Sequence, residues 1–241
     1  MKTTWPTLSF KEAQKTYETL HLWTQIVGKI RLIKTPWINH SWHVTLYVTP
    51  SGLTTSDMVD GEKHFQLDFD FIRHQLQLKT SAGETHSIDL KEGLSVAGCY
   101  QQLLDALQRV GIRADIYPVP NELEDPIRFD EDETHATYDP EHAAALHQAL
   151  LRSHAVFNRF RAGFRGKSSP VHFFWGSFDL AVSRFSGRDA PKHPGGSAQS
   201  AGLGSPGGLF QRGLQLRLLA WKRGISACGV LQLHLSGAGR V

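Results

Sequence analysis

The sequence predicts an α+β fold, a mostly antiparallel sheet with two or three helices packed on it. Three observations predict it. Between 63 and 90, apolar residues alternate with polar ones in short runs broken by turns, which is the period of half-buried strands. Around 96–110 and 140–160, apolar residues instead recur every three or four positions, as on a helix. The stretch PVHFFWGSFDLAVSRFSGR at 170–188 carries two more alternating runs separated by Gly176-Ser177.

In chain order, Ser9 to Glu12 reads S-x-x-E, a capping box. Phe10, Ala13, Tyr17 and Leu20 follow at helical spacing, so a helix is expected over 10–24. Ile26, Gly28, Ile30 and Leu32 then alternate with Lys29 and Arg31, and a strand with one basic face is expected. A second strand is expected over Trp42–Val48, with His43, Thr45 and Tyr47 on its other face. Phe65, Leu67 and Phe69, then Leu76 and Leu78, then His86 to Leu90, read as an antiparallel meander with one wet face. Val96, Tyr100, Leu103, Leu107 and Val110 form a helix closed by Gly111, and Ile112–Tyr117 reads as a strand. Residues 121–141 hold nine acids against one base, Arg128. Asp139-Pro140 then starts a helix that ends among Arg159, Arg161 and Arg165. Acids before it and bases near its end both suit the helix dipole.

Composition narrows the function classes. The chain has 241 residues, 40% hydrophobic and 20% charged, which suits one domain of ordinary size. A net charge of +3 gives no argument for nucleic acid. Two cysteines, Cys99 and Cys228, make neither a disulfide framework nor a Cys-based zinc site. The N-terminus lacks the apolar core of a signal peptide, and no apolar run reaches the length of a membrane span. A cytoplasmic protein is expected. Its expected partner is a small-molecule ligand, with no nucleic acid and no membrane. The sequence names no cofactor, and it leaves the oligomeric state open.

The candidate site draws on the 170–188 stretch. His172 and Asp179 are expected on adjacent strands near the middle of the sheet, with Asp179 paired to Arg184 or Arg188, because an unpaired buried charge is costly. One reading is an enzyme using His/carboxylate acid–base chemistry, since imidazole takes a proton near neutral pH and a carboxylate orients it. Its catalytic candidates are His43, His172, Asp179, Asp130 and His135. Lys29 or Arg31 would hold an anionic group of the substrate, and Trp175 and Arg184 are further substrate-binding candidates. The alternatives are a non-catalytic module with an aromatic pocket, and a structural or interaction protein. His40 and His43 resemble a metal pair only superficially, because residues three apart on a strand point to opposite faces; no metal site is expected. The acidic loop 130–135 lacks the glycine and spacing of a calcium loop. GFRGKSSP at 163–170 lacks the phosphate-loop spacing but could hold an anion on backbone N–H groups.

Seven runs together carry a resemblance: WPTLSF at 5–10, LHLWTQIVGKIRL at 20–32, NHSWHVTLYVT at 39–49, GLTTS at 52–56, DFDFIRHQL at 68–76, DPIRFDEDETHATYDPE at 125–141 and GKSSPVHFFWGSFDLAVSRFSGR at 166–188. Over about residues 5–195 the chain resembles an uncharacterised bacterial domain-of-unknown-function family. The resemblance implies a bacterial source and no chemistry. One domain is expected over 1–195, and 196–241 is expected to be a frameshifted tail. From 191 to 241 there is no Asp, Glu, Asn, Thr or Tyr, and eleven of the 22 glycines fall there. Taking the last two bases of each codon with the first of the next, permitted codons reread the tail as a string containing DWVVREAYSNEV and GFWPG. That string restores acids, Asn and Tyr. It resembles the family segment that follows SRFSGR. The tail as it stands is expected to be poorly ordered.

Overall fold

The structure, a computed structural model, describes residues 5–189, 211–219 and 231–236. Its central element is one long helix, α1 (Phe10–Lys34), buried on every side from Thr19 to Arg31. The expected helix over 10–24 is therefore ten residues longer, and the strand expected over 26–32 does not form. The physical reason is burial. A helix covered all round has no polar stripe to show its period, and seven alternating residues fit a strand equally well. Gly28, a poor helix former, is tolerated because a side chain there would overlap the indole of Trp175. The capping box does not close either: Ser9 makes no side-chain cap bond, and the first turn is held by Ala13 N–H donating to the Ser9 carbonyl.

After α1 the chain makes a short 3-10 turn over Asn39–Val44, in which His40 and Ser41 have φ of 63° and 56°. The strand expected over Trp42–Val48 is thereby reduced to β1 (Tyr47–Val48) and a bridge at Leu46. β2 (Gly52–Thr54), β3 (Met58–Asp60), β4 (Lys63–Asp70), β5 (Gln75–Thr80) and β6 (Thr85–Asp89) follow. They form an antiparallel sheet in the order β1-β2-β4-β5-β6, with β3 also on β4. Here the expected meander holds. Phe65, Leu67 and Phe69 are buried along one face of β4, and Leu76 and Leu78 lie in register with Phe69 and Leu67. Each such side chain contributes roughly 1.5–3 kcal/mol by burial.

α2 (Val96–Arg109) is capped by the Ser95 hydroxyl, which accepts from the Gly98 N–H. Gly111, at φ 69°, ends it as expected. Ile112–Tyr117 is an irregular segment rather than a strand. α3 (Pro140–Ala162) starts at the Asp139 side chain, which accepts from the Glu141 and His142 N–H groups.

β7 (His172–Phe174) and β8 (Asp179–Asp189) form an antiparallel hairpin; His172 faces Ala181 and Phe174 faces Asp179. The second sheet runs β10-β9-β8-β7, with β9 (Gln211–Leu219) and β10 (Leu231–Ser236) from the tail. Leu46 and Phe173 exchange two hydrogen bonds of 2.9 and 2.8 Å, which joins the sheets edge to edge and leaves β7 between β8 and residue 46. The rest of the expected tail, 196–210, 220–230 and 237–241, lies outside the described residues. No described helix is long and apolar enough to cross a membrane.

Candidate functional site

The second half of α1 sets the site. Successive helical residues are rotated by about 100°, so residues two apart look in nearly opposite directions. Lys29 and Arg31 are 5% and 6% exposed. They point to different surroundings.

Lys29 faces the 117–129 segment. Its ammonium donates to the Val119 carbonyl at 2.7 Å and to Asn121 Oδ1 at 3.1 Å, and lies 5.6 Å from the Tyr117 ring centre. Gln25, one turn earlier, exchanges two further bonds with the backbone of Asn121. These groups pin the segment to the helix.

Arg31 faces the sheet junction. Its guanidinium lies 5.5 Å from the Tyr47 ring centre, and its buried Nε and Nη1 have no hydrogen-bond partner. No described side chain forms an ion pair with it, and the segments outside the description contain no Asp or Glu. Burial lowers its pKa.

His172 stands next to this group. It is 1% exposed, and neither ring nitrogen has a hydrogen-bond partner. Three rings surround it: Trp42 at 5.7 Å, Tyr47 at 5.6 Å and Phe174 at 5.8 Å between centres. Its pKa is pushed down to about 4, first by burial and then by Arg31 and Arg161. It is a neutral imidazole at neutral pH. His43 is held below its usual range by burial and by Arg31, while its Nδ1 accepts from the Ile38 N–H at 3.3 Å.

The other expected residues of the hairpin make different contacts. Asp179 is buried on the same face of the hairpin, two residues from Ala181, the position opposite His172, and it accepts from the Ser177 hydroxyl. Its expected partner Arg184 is five residues along the strand, hence on the opposite face, where its guanidinium stacks 3.6 Å from the Phe160 ring centre. Arg188 is exposed at the far end of β8, near the bulge. Trp175 is locked by packing on Gly28 and by donating Nε1–H to the Val44 carbonyl at 2.7 Å.

Asp130 and His135 belong to a different neighbourhood. Asp130 is bound by Arg128 at 2.8 Å. His135 Nδ1 pairs with the buried Asp132 at 2.7 Å, and its pKa is raised by that bond, with a further push from Glu18. Glu18 is thirteen residues from Arg31 on one helix, about 20 Å away. Against the upward push of burial, hydrogen bonds from His135 and from the His135 and Thr134 N–H groups hold Asp132 below the usual carboxylate range. This cluster is complete in itself and ties the acidic loop to the start of α2 through Ala97 N–H.

The structure thus brings Arg31, His172 and His43 together and leaves Asp130, His135 and Lys29 apart from them. Sequence reasoning passed over Tyr47, Trp42, Arg161 and Lys167 as site residues; only Lys167 carried a signal, in the run GFRGKSSP. His40 and His43 do not converge, since His40 Nε2 meets Lys167. Among the described residues no group of three or more His, Cys, Asp or Glu is placed to hold a metal ion.

Comparison with known proteins adds the lineage. A family model described as a family of unknown function, DUF5996, matches residues 5–202, and the chain belongs to that family. No curated protein and no solved structure matches it.

Proposed function

We propose that this family member is an enzyme that takes a small anionic molecule on the Arg31 guanidinium and uses neutral His172 as its acid–base group. The observation that carries the reading is a pair of buried groups, Arg31 and His172, that both pack on the Tyr47 ring and each keep two nitrogens without a hydrogen-bond partner. An unpartnered polar group in the interior costs about 1–3 kcal/mol, and more when charged; a fold tolerates that where a ligand supplies the missing bonds. A bound carboxylate or phosphate oxygen would accept from Arg31 Nε and Nη1 in the two-pronged geometry that guanidinium favours. Burial is the larger cause of the low His172 pKa; a bound anion would offset the smaller part due to Arg31, raise that pKa and so draw a proton onto the imidazole as it binds.

Calorimetry with benzoate and with inorganic phosphate tests this, run in two buffers of different ionisation enthalpy. The expected result is binding with proton uptake, lost in Arg31→Gln, with the uptake alone lost in His172→Gln. Failure of any anion to bind, or full binding by Arg31→Gln, sinks the proposal. The rings of Trp42, Tyr47 and Phe174 around His172 favour a second reading, a non-catalytic ligand-binding module. Binding without proton uptake is its expected outcome.

We also propose that the source is bacterial and the protein cytoplasmic, and that residues from about 196 are read in the wrong frame. What supports the last point is the loss of five residue types after 190 and a family match that stops at 202. The gene tests it. A one-base-shifted frame that meets an early stop, or lacks codons for EAYSNEV and GFWPG, ends the idea.

A further inference from the structure

We infer that Lys167 is a second anion-binding residue of this site, and that the ligand is a dianion whose two charges are separated by an apolar spacer, as in a dicarboxylate. The inference rests on the anion reading above. Lys167 lies on the 163–171 loop between α3 and β7, with its carbonyl fixed by the Phe185 N–H at 2.9 Å. Its ammonium is exposed, stands 5.0 Å from the Phe185 ring centre and 5.7 Å from that of Trp42, and donates to His40 Nε2 at 3.0 Å. No described carboxylate pairs with it.

The ring contacts form one row. Lys167 sits on Trp42, Trp42 meets His172 at 5.7 Å, His172 meets Tyr47 at 5.6 Å, and Tyr47 carries Arg31 at 5.5 Å. The row is cationic at both ends and aromatic between them. A ligand complementary to it is apolar in the middle and negative at both ends, because aromatic faces accept hydrocarbon and reject charge of their own sign. His40 is a replaceable partner. An imidazole is a neutral acceptor, weaker for an ammonium than a carboxylate would be. His40 and Ser41 are also held at positive φ, 63° and 56°, a conformation that is strained for non-glycine residues. Displacing His40 from Lys167 uncovers the end of the row nearest solvent.

Calorimetry on the full chain with succinate, glutarate, adipate and suberate, set against butyrate and inorganic phosphate, tests this. The expected result is that one dicarboxylate binds at least about tenfold tighter than butyrate. Lys167→Gln should bring its affinity down to that of the monocarboxylate, and Lys167→Arg should keep the preference. Thermal melts check that these variants of an exposed side chain are folded. Equal binding of mono- and dicarboxylates, tighter binding of phosphate than of every dicarboxylate, or a preference that survives Lys167→Gln overturns the role of Lys167 while leaving Arg31 as an anion site. Binding of no anion at all overturns both.

Discussion

Lys29 and Arg31 stand two residues apart on α1, equally buried, yet the fold surrounds them in opposite ways. Lys29 meets a backbone carbonyl, an amide oxygen and two rings. Arg31 meets one tyrosine ring and keeps two nitrogens unbonded. A buried cation with a full set of acceptors is a tether, and its removal leaves those acceptors stranded. A buried cation without them is a standing cost, retained where binding repays it. The same contrast separates two imidazoles. His21 meets the Gly176 carbonyl at 2.8 Å and Gln25 at 3.0 Å, whereas His172 has no such partners.

The largest effect expected is in acid, where both imidazoles act together. Each has a folded-state pKa lowered from 6.5 to about 4. The unfolded chain then protonates first as pH falls, so their contribution is intact above about 6.5 and is lost toward 4. The loss is on the order of 3 kcal/mol for each, and denaturant titrations along the pH range measure it. Ring NMR signals sharpen the contrast: saturating carboxylate should raise the pKa of His172 and leave His21 where it is.

Paired substitutions on α1 come next. Lys29→Met should lose about 2–4 kcal/mol, because Val119 and Asn121 keep acceptors with nothing to accept. Arg31→Met should be neutral or stabilising by about 1–3 kcal/mol, since a methionine fills similar space without a charge to desolvate. Equal losses in chemical denaturation would dissolve the distinction between tether and binding group. Gly28→Ala, one residue before Lys29, should cost roughly 1–3 kcal/mol by overpacking against Trp175, read as a lower melting temperature and a changed indole emission.

The smallest effect belongs to Asp132 and His135. Asp132 is lowered, so its contribution is present above about 4 and fades as pH falls through its folded value. His135 is raised, so its contribution is full below about 6.5 and fades as pH rises through its folded value. Asp132→Asn should therefore cost most in the window between them, about 1 kcal/mol given the partial exposure of the histidine. Melts at pH 5.5 and 8.5 (about one unit inside and two outside that window) would show whether the difference has this sign.

What could be read from the chain follows the same physics. β4 and β5 were legible because Phe65, Leu67 and Phe69 are buried while Gln66 and Asp68 are only partly so, and one wet face leaves a period. The second half of α1 was not, because Ile26 to Arg31 are all buried and pattern vanishes with the wet face. That single misreading also put Lys29 and Arg31 on one basic face, which a strand would do and a helix cannot. The placing of His172 and Asp179 on adjacent strands followed from the Gly176-Ser177 turn. The neighbours of His172 did not: Trp42 and Tyr47 reach it through a bend at His40 and Ser41 that takes positive φ without glycine.

The Leu46–Phe173 pair has a mechanical consequence. Two hydrogen bonds are the backbone seam between a sheet built from residues 47–89 and one built from 172 onward. Cooperativity between the two halves must therefore run mainly through side-chain packing, with α3 touching β1 and β8 and α1 packing on Trp175. Native-state hydrogen exchange distinguishes the cases: if the Leu46 and Phe173 amides exchange faster than those of β4 and β8, the molecule opens along this seam as two foldons before either sheet melts.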